Sequence, residues 1–100
     1  IVSDQGTVAT GNAVDFATGN VQVLQDVGNT AIALSNMQDG GAYTVIVEDT
    51  TSRTYTFPAC TAAYFQPANG ATTNRSVYTI LKVTTGGTAK CFISWITGFN

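Results

Sequence analysis

The feature that most constrains this chain is the rhythm of its apolar residues, which recur at every second position between turn signals spaced about ten residues apart. A period of two places side chains alternately on the two faces of a β-strand, whereas a helix needs a period near 3.6. β-Branched residues, which favour strands, dominate these runs. The sequence therefore predicts an all-β domain with no helix longer than about two turns.

Eight segments carry this pattern and are predicted to be strands: residues 14–16, 21–26, 30–37, 42–48, 53–57, 62–66, 76–83 and 88–97. The breaks at 19–20, 28–29, 39–41, 69–70 and 86–87 contain Gly or Asn, which tolerate positive φ and suit tight turns. We expect an antiparallel β-sandwich of about eight short strands over residues 13–100. Residues 1–12 are rich in Gly and Thr and weakly patterned, and they are interpreted as a lead-in from a preceding shaft or linker.

The last two predicted strands differ from the others because they are apolar on both faces. In segment 88–97, Cys91, Ile93 and Trp95 point to one side, while Phe92 and Ile96 point to the other. A strand that is apolar on both faces is typically buried on both faces, and a single sandwich has only one interior. We therefore expect the second face to pack against another copy of the chain. The alternative is a single closed barrel with a few exposed apolar side chains.

The scarcity of charge excludes several classes of function. Charged residues make up 10% of the chain, against roughly 25% in an ordinary soluble protein. The net charge is −2 and the four basic residues are far apart, whereas a nucleic-acid surface needs clustered Lys and Arg. With this composition and no apolar run near the ~18 residues of a membrane helix, we expect an extracellular protein without membrane insertion.

The residues that usually assemble catalytic or metal sites are also scarce. The chain has no His and one Glu, and its five Asp residues are scattered through turns, so no acid–base pair converges in the sequence. A calcium site at the turn 48–51 has plentiful oxygen atoms but no known loop pattern. We predict that the protein is not an enzyme and binds no cofactor or metal.

Two cysteines, Cys60 and Cys91, are the only thiols. One interpretation is a disulfide, which on the chain-entropy model would stabilise the fold by ~3–4 kcal/mol. The other is a pair of buried free thiols acting as small hydrophobic groups, because Cys91 shares the parity of Ile93 and Trp95. The sequence leaves both open, although we expect the two residues to lie near one another.

Ligand-binding candidates cluster around the loop 67–74. Most aromatic residues at strand parity belong to the core, but exposed rings pack well on the C–H surfaces of sugars. Tyr64 and Phe65 precede the loop and are the aromatic residues most expected to reach solvent. Asn69, Asn74 and Arg75 complete the candidate set, and Asn74 also begins a glycosylation sequon.

The C-terminal third resembles a known family. The sequence reads YTIL at 78–81, a GG turn at 86–87 and ISWITGF at 93–99. Upstream it reads LSNM at 34–37, DGGAYT at 39–44, YTF at 55–57 and PAN at 67–69. This pattern of strands and turns, over residues 12–99, resembles the C-terminal tip domains of bacteriophage tail fibres and of the mosaic adhesive trimer fibres of predatory bacteria.

The resemblance implies an obligate homotrimer of β-sandwich subunits at the tip of a surface or phage fibre. It also implies a cell-surface ligand, often a glycan, and assigns no specific ligand residue. The leading hypothesis is thus a non-enzymatic, extracellular fibre-tip adhesin. Two alternatives remain open: a purely structural trimerisation knob, and a monomeric carbohydrate-binding module of a secreted enzyme. An exposed aromatic platform on a monomer would favour the module, and a tip without any pocket would favour the knob.

Overall fold

A computed structural model describes residues 2–7, 13–25 and 30–100. Within them the fold is all-β, as predicted, and its one helical element is a 3-10 turn at Phe16–Thr18. The strands form a six-stranded sheet in the order β1-β3-β5-β7-β8-β6 and a two-stranded sheet of β2 and β4. Their bounds are β1 Val2–Thr7, β2 Ala13–Asp15, β3 Val21–Gln25, β4 Ala33–Ser35, β5 Ala42–Glu48, β6 Ala62–Gln66, β7 Arg75–Thr85 and β8 Thr88–Phe99.

The prediction of an antiparallel sandwich is wrong in strand direction. Only β5–β7 and β7–β8 pair antiparallel, whereas β1–β3, β3–β5, β6–β8 and β2–β4 pair parallel. An alternating pattern reports which face of a strand is buried, but it carries no information on the direction of the neighbouring strand. The antiparallel β7–β8 hairpin is closed as predicted by Gly86 and Gly87, whose φ angles are +59° and +77°.

Two further segments differ from the sequence-based assignment. Residues 53–57 alternate between buried and exposed side chains as expected, but they form only one bridge, between Ala31 and Thr56. Val2–Thr7, within the stretch interpreted as a lead-in, forms the edge strand β1 and pairs with β3. Residues 8–12 and the predicted turn at 28–29 lie outside the described residues.

The core lies between the six-stranded sheet and a second layer formed by the small sheet and the extended segment 53–60. Ring contacts join the layers: Phe16 lies 4.5 Å from Tyr43, and Phe57 lies 5.4 Å from Tyr78. The sheet side of this core consists of Leu24, Tyr43, Val45, Val47, Tyr78, Ile80, Cys91, Ile93 and Trp95. The fold therefore keeps the two-layer character of a sandwich.

Cys60 and Cys91 form a disulfide with an S–S distance of 2.06 Å. Cys60 is the last residue of the extended segment, and Cys91 lies on the inner face of β8. The bridge thus ties the second layer to the large sheet. Among the described residues, no helix has the length and apolar character needed to cross a membrane.

Candidate functional site

The most unusual surface of the molecule is the outer face of the six-stranded sheet, which we define as the side away from the core. Four large apolar side chains stand on it with substantial exposure: Tyr64 at 50%, Leu81 at 42%, Phe92 at 49% and Ile96 at 65%. Their neighbours along β7 and β8 are buried, since Tyr78, Ile80, Cys91, Ile93 and Trp95 point into the core. The expectation that the last two strands are apolar on both faces is confirmed.

Strand register arranges this face in rows that cross the strands. Tyr64 pairs with Phe92, and Phe92 pairs with Leu81, so these three side chains form one row across β6, β8 and β7. We call it the aromatic row. The rings of Tyr64 and Phe92 stack with centroids 5.3 Å apart and an angle of 24° between their planes. Both rings remain about half exposed, so the pair presents aromatic surface to solvent.

A row of uncharged polar side chains lies two residues further along each strand. Gln66 pairs with Ser94, Ser94 with Thr79 and Thr79 with Thr44, which spans four adjacent strands. We call this the polar row. Gln66, Ser94 and Thr79 are exposed. Because adjacent strands lie ~4.8 Å apart, the row offers a regular line of hydroxyl and amide groups.

A third row is aliphatic and crosses the middle of the sheet. Ile96 pairs with Val77, Val77 with Ile46 and Ile46 with Val23. We call it the aliphatic row. Ile96 is the most exposed large apolar residue in the described part of the chain, and the other three are half-buried. The outer face is therefore apolar, then polar, then apolar along the strand direction.

Two connected grooves lie between these rows. One, of about 470 Å³, is bounded by the aromatic row, and the other, of about 290 Å³, is bounded by Val77 and Ile96. Gln66, Thr79 and Ser94 line both grooves and so form their common floor. Among the described residues, no charged side chain lines either groove. The site can therefore offer aromatic stacking and neutral hydrogen bonds.

Of the two aromatic candidates from the sequence, only Tyr64 stands on this face. Phe65 was expected to reach solvent, but it is partly buried and stacks on Phe57 with ring centroids 6.1 Å apart. Successive side chains of a strand point to opposite faces, so Tyr64 and Phe65 cannot share one side of β6. Phe65 packs against the core and also lines the larger groove, and its role in ligand binding stays a prediction.

Of the three polar candidates of the loop region, Asn69 and Asn74 use their side-chain amides in hydrogen bonds within the structure. Asn69 Nδ2 donates to the Tyr55 carbonyl at 3.0 Å, and Asn74 Nδ2 donates to Asn100 Oδ1 at 2.6 Å. The Arg75 backbone N–H donates to Asn74 Oδ1 at 3.0 Å, and its side chain is exposed at the start of β7. None of the three lines the grooves, and their role in ligand binding stays a prediction.

Asp49 is a buried acidic residue whose carboxylate accepts several hydrogen bonds, whereas its neighbour Glu48 is exposed. Its carboxylate accepts hydrogen bonds from the Thr51 backbone at 2.9 Å, Arg53 Nε at 2.6 Å and the Tyr55 hydroxyl at 3.0 Å. Burial raises the pKa of Asp49, but these three bonds and the Arg53 charge together hold it below the ordinary value. Donors from the protein thus hold the carboxylate in place, and it closes the turn.

The other acidic candidates offer no converging pair. Asp15 caps the 3-10 turn by accepting from the Ala17 backbone at 2.9 Å, and it also accepts from Asn36 Nδ2 at 2.6 Å. These bonds lower the pKa of Asp15. Asp39 accepts from the Thr84 backbone N–H. Asp26 lies outside the described residues, and for Asp4 the structure describes only the backbone.

Sequence reasoning missed most of the groove. Phe92, Gln66, Thr79 and Ser94 were not candidates, because what unites them is the cross-strand register. Parity along each strand could place them on a shared side of the sheet, but it could not align the rows. No protein-family model, curated protein or solved structure matched the chain.

Proposed function

We propose that the protein is a non-enzymatic, homotrimeric fibre-tip adhesin, with the aliphatic row as the centre of its subunit interface. The observation that carries this proposal is the exposed apolar outer face, with Ile96 exposed to 65%. Removing apolar surface from water is favourable by roughly 25 cal/mol per Å², so such a face favours association. Obligate interfaces are richer in apolar residues than ordinary surfaces.

The low charge of the chain supports the same proposal. Charged residues are 10% of the composition, and the residues of the aliphatic row are all uncharged. Lys and Glu are depleted at interface centres, because their desolvation is costly. Subunits packed through the aliphatic row would cover the smaller groove, which Val77 and Ile96 bound, and would leave the larger groove at the margin of the interface. A ligand on a cell surface would then meet three equivalent sites and gain avidity.

A second candidate is a monomeric carbohydrate-binding module, which the stacked Tyr64–Phe92 pair favours. Both rings are about half exposed and lie beside neutral polar groups, as sugar sites require. The two candidates differ in oligomeric state, and both use the larger groove. A purely structural knob is the third outcome, and it would form a trimer that binds no sugar.

The test compares two single substitutions by size-exclusion chromatography with light scattering. Ile96→Glu places a charge in the aliphatic row, and we expect it to shift the mass from trimer to monomer at micromolar concentration. Thr54→Glu is the matched control, because Thr54 is exposed on the second layer. It adds the same charge and should leave the trimer mass unchanged.

Two results would contradict the assembly proposal. A parent protein that elutes as a monomer would leave the carbohydrate-binding module as the favoured candidate. If the Ile96→Glu variant remains a trimer, the subunit interface must lie elsewhere than at the aliphatic row. Circular dichroism of each variant separates dissociation from loss of the β-structure.

A further inference from the structure

We propose that the larger groove on the outer face binds one segment of an uncharged polysaccharide, lying across the strands with about one sugar residue over each strand. This inference rests on the proposed adhesin function and names its ligand class and its contact residues. Tyr64 and Phe92 supply the stacking surface, and Gln66, Ser94 and Thr79 supply the hydrogen bonds.

The direction of the ligand follows from the geometry of the polar row. Gln66, Ser94 and Thr79 lie on three neighbouring strands and are paired directly with one another. Their spacing is that of adjacent strands, ~4.8 Å. This spacing is close to the rise of one pyranose residue in an extended polysaccharide. Successive sugars running along the row would therefore meet equivalent hydroxyl or amide groups.

The chemistry of the lining selects a sugar over an apolar ligand. The polar row separates the aromatic row from the aliphatic row, so a purely apolar ligand would bury three exposed polar side chains without partners. Each such group costs about 1–3 kcal/mol when it is desolvated unpaired. A pyranose ring instead has apolar C–H faces that can stack on Tyr64. The hydroxyl groups at its rim can form hydrogen bonds with the polar side chains of the groove floor.

The absence of charge from the lining selects neutral sugars over acidic ones. Among the described residues, the lining of both grooves is uncharged, so no lining side chain neutralises a carboxylate or sulfate. Placing an anion there would desolvate it without a partner, which is unfavourable. The volume of the larger groove, about 470 Å³, lies within the usual range of ligand sites, ~300–1,000 Å³.

The experiment measures binding of neutral oligosaccharides of one to six sugars, built from glucose, galactose, mannose or N-acetylglucosamine, by calorimetry and saturation-transfer NMR. We expect at least one series to bind, with affinity rising up to three or four sugars and then levelling. Oligogalacturonates of the same length are the anionic comparison, and they should bind at least ten-fold more weakly. The levelling point reports the number of strands crossed.

Three variants test the named residues. Tyr64→Ala should weaken binding at least ten-fold, and Ser94→Val should weaken it several-fold by removing a floor hydroxyl. Phe99→Ala is the matched control: Phe99 is a 44% exposed aromatic residue of β8 outside the grooves, and its loss should change binding less than two-fold. Tyr64 is half exposed on an edge strand, so its variant should retain the parent circular dichroism spectrum.

Light scattering on the same samples separates this inference from the proposed function. If Tyr64→Ala loses sugar binding but keeps the trimer mass, the result supports sugar binding in the groove. Sugar binding by a monomeric protein would contradict the proposed trimer but would still support the sugar site in the groove. Failure of every neutral series to bind, equal binding of the acidic series, or a drop in mass caused by Tyr64→Ala would each overturn the inference. The last result would mean that a second copy of the chain occupies the groove.

Discussion

The Tyr78 hydroxyl is a buried polar group with no hydrogen-bond partner among the described residues. Its ring is fully buried and stacks on Trp95 with centroids 5.5 Å apart. Burial raises the pKa of Tyr78, so the hydroxyl is neutral throughout the ordinary pH range. Since an unpaired buried hydroxyl costs about 1–3 kcal/mol, Tyr78→Phe should raise the free energy of unfolding by about 1 kcal/mol.

Tyr55→Phe provides the matched comparison for that measurement. Tyr55 is equally buried, but its hydroxyl donates to Asp49 Oδ2 at 3.0 Å. Hydrogen bonds to charged groups contribute about 1.5–3 kcal/mol, so this variant should be less stable by a similar amount. Urea unfolding of both variants gives the result. Equal losses in the two variants would contradict the assignment of Tyr78 as unpaired.

The carboxylate of Asp49 should make part of the free energy of unfolding sensitive to acid. The pKa of Asp49 in the folded protein lies below its ordinary value of 3.8. A lowered pKa stabilises the fold above the unfolded-state pKa, and this contribution is lost as pH falls through the folded-state pKa. Asp49→Asn should therefore be less stable than the parent at pH 7 and should converge with it near pH 2. Urea midpoints measured from pH 2 to 7 test this, and a constant gap would contradict it.

At the scale of the single residue, the sequence predicted burial well and interactions poorly. Parity placed Tyr43, Val45 and Val47 on the core side of segment 42–48, which is confirmed. It could not choose between the adjacent rings of Tyr64 and Phe65, because a strand must turn one of them inward. Nor could it find the partners of Asp49, which come from a turn that brings Arg53 and Tyr55 back towards it.

Among the structural elements, the second layer depends on a covalent link. The segment 53–60 contributes buried side chains but makes only one β-bridge, at Thr56, so few ladder hydrogen bonds hold it. The Cys60–Cys91 disulfide closes a sequence separation of 31 residues. Replacing both cysteines with Ala should lower the free energy of unfolding by ~3–4 kcal/mol on the chain-entropy model.

Thermal unfolding of the double variant beside the parent measures this loss. The Ser52→Ala variant is a suitable control, since Ser52 is exposed immediately before this segment. Thiol titration of the denatured parent without reductant should detect no free thiol. Two free thiols, or a loss well below 1 kcal/mol, would contradict the structural role of the bridge.

Most elements could be predicted from the sequence, but their connections could not. Residues 42–48 and 62–66 were assigned with the observed bounds, and the 86–87 turn requires the positive φ that Gly supplies. β1 was missed because its Gly- and Thr-containing sequence lacks apolar alternation. Parallel pairing was missed because direction depends on crossovers, and local periodicity does not encode them.

The whole molecule, finally, carries more apolar surface than one subunit can cover. The sheet buries one face against the second layer and leaves Tyr64, Leu81, Phe92 and Ile96 in solvent. Typical folded domains are stable by only ~5–15 kcal/mol, so covering the aliphatic row of this face in the proposed trimer would add substantially to the stability. Folding and trimerisation should therefore be coupled, and the melting temperature should rise with protein concentration.

Sedimentation equilibrium of the unmodified protein, from 1 to 100 µM, tests directly whether three chains associate. The proposed assembly predicts a single species of three chains, three times the 10.4 kDa of one chain. It also predicts that this species dissociates only together with loss of the β-structure. A stable, folded species near 10.4 kDa across that range would contradict the trimer.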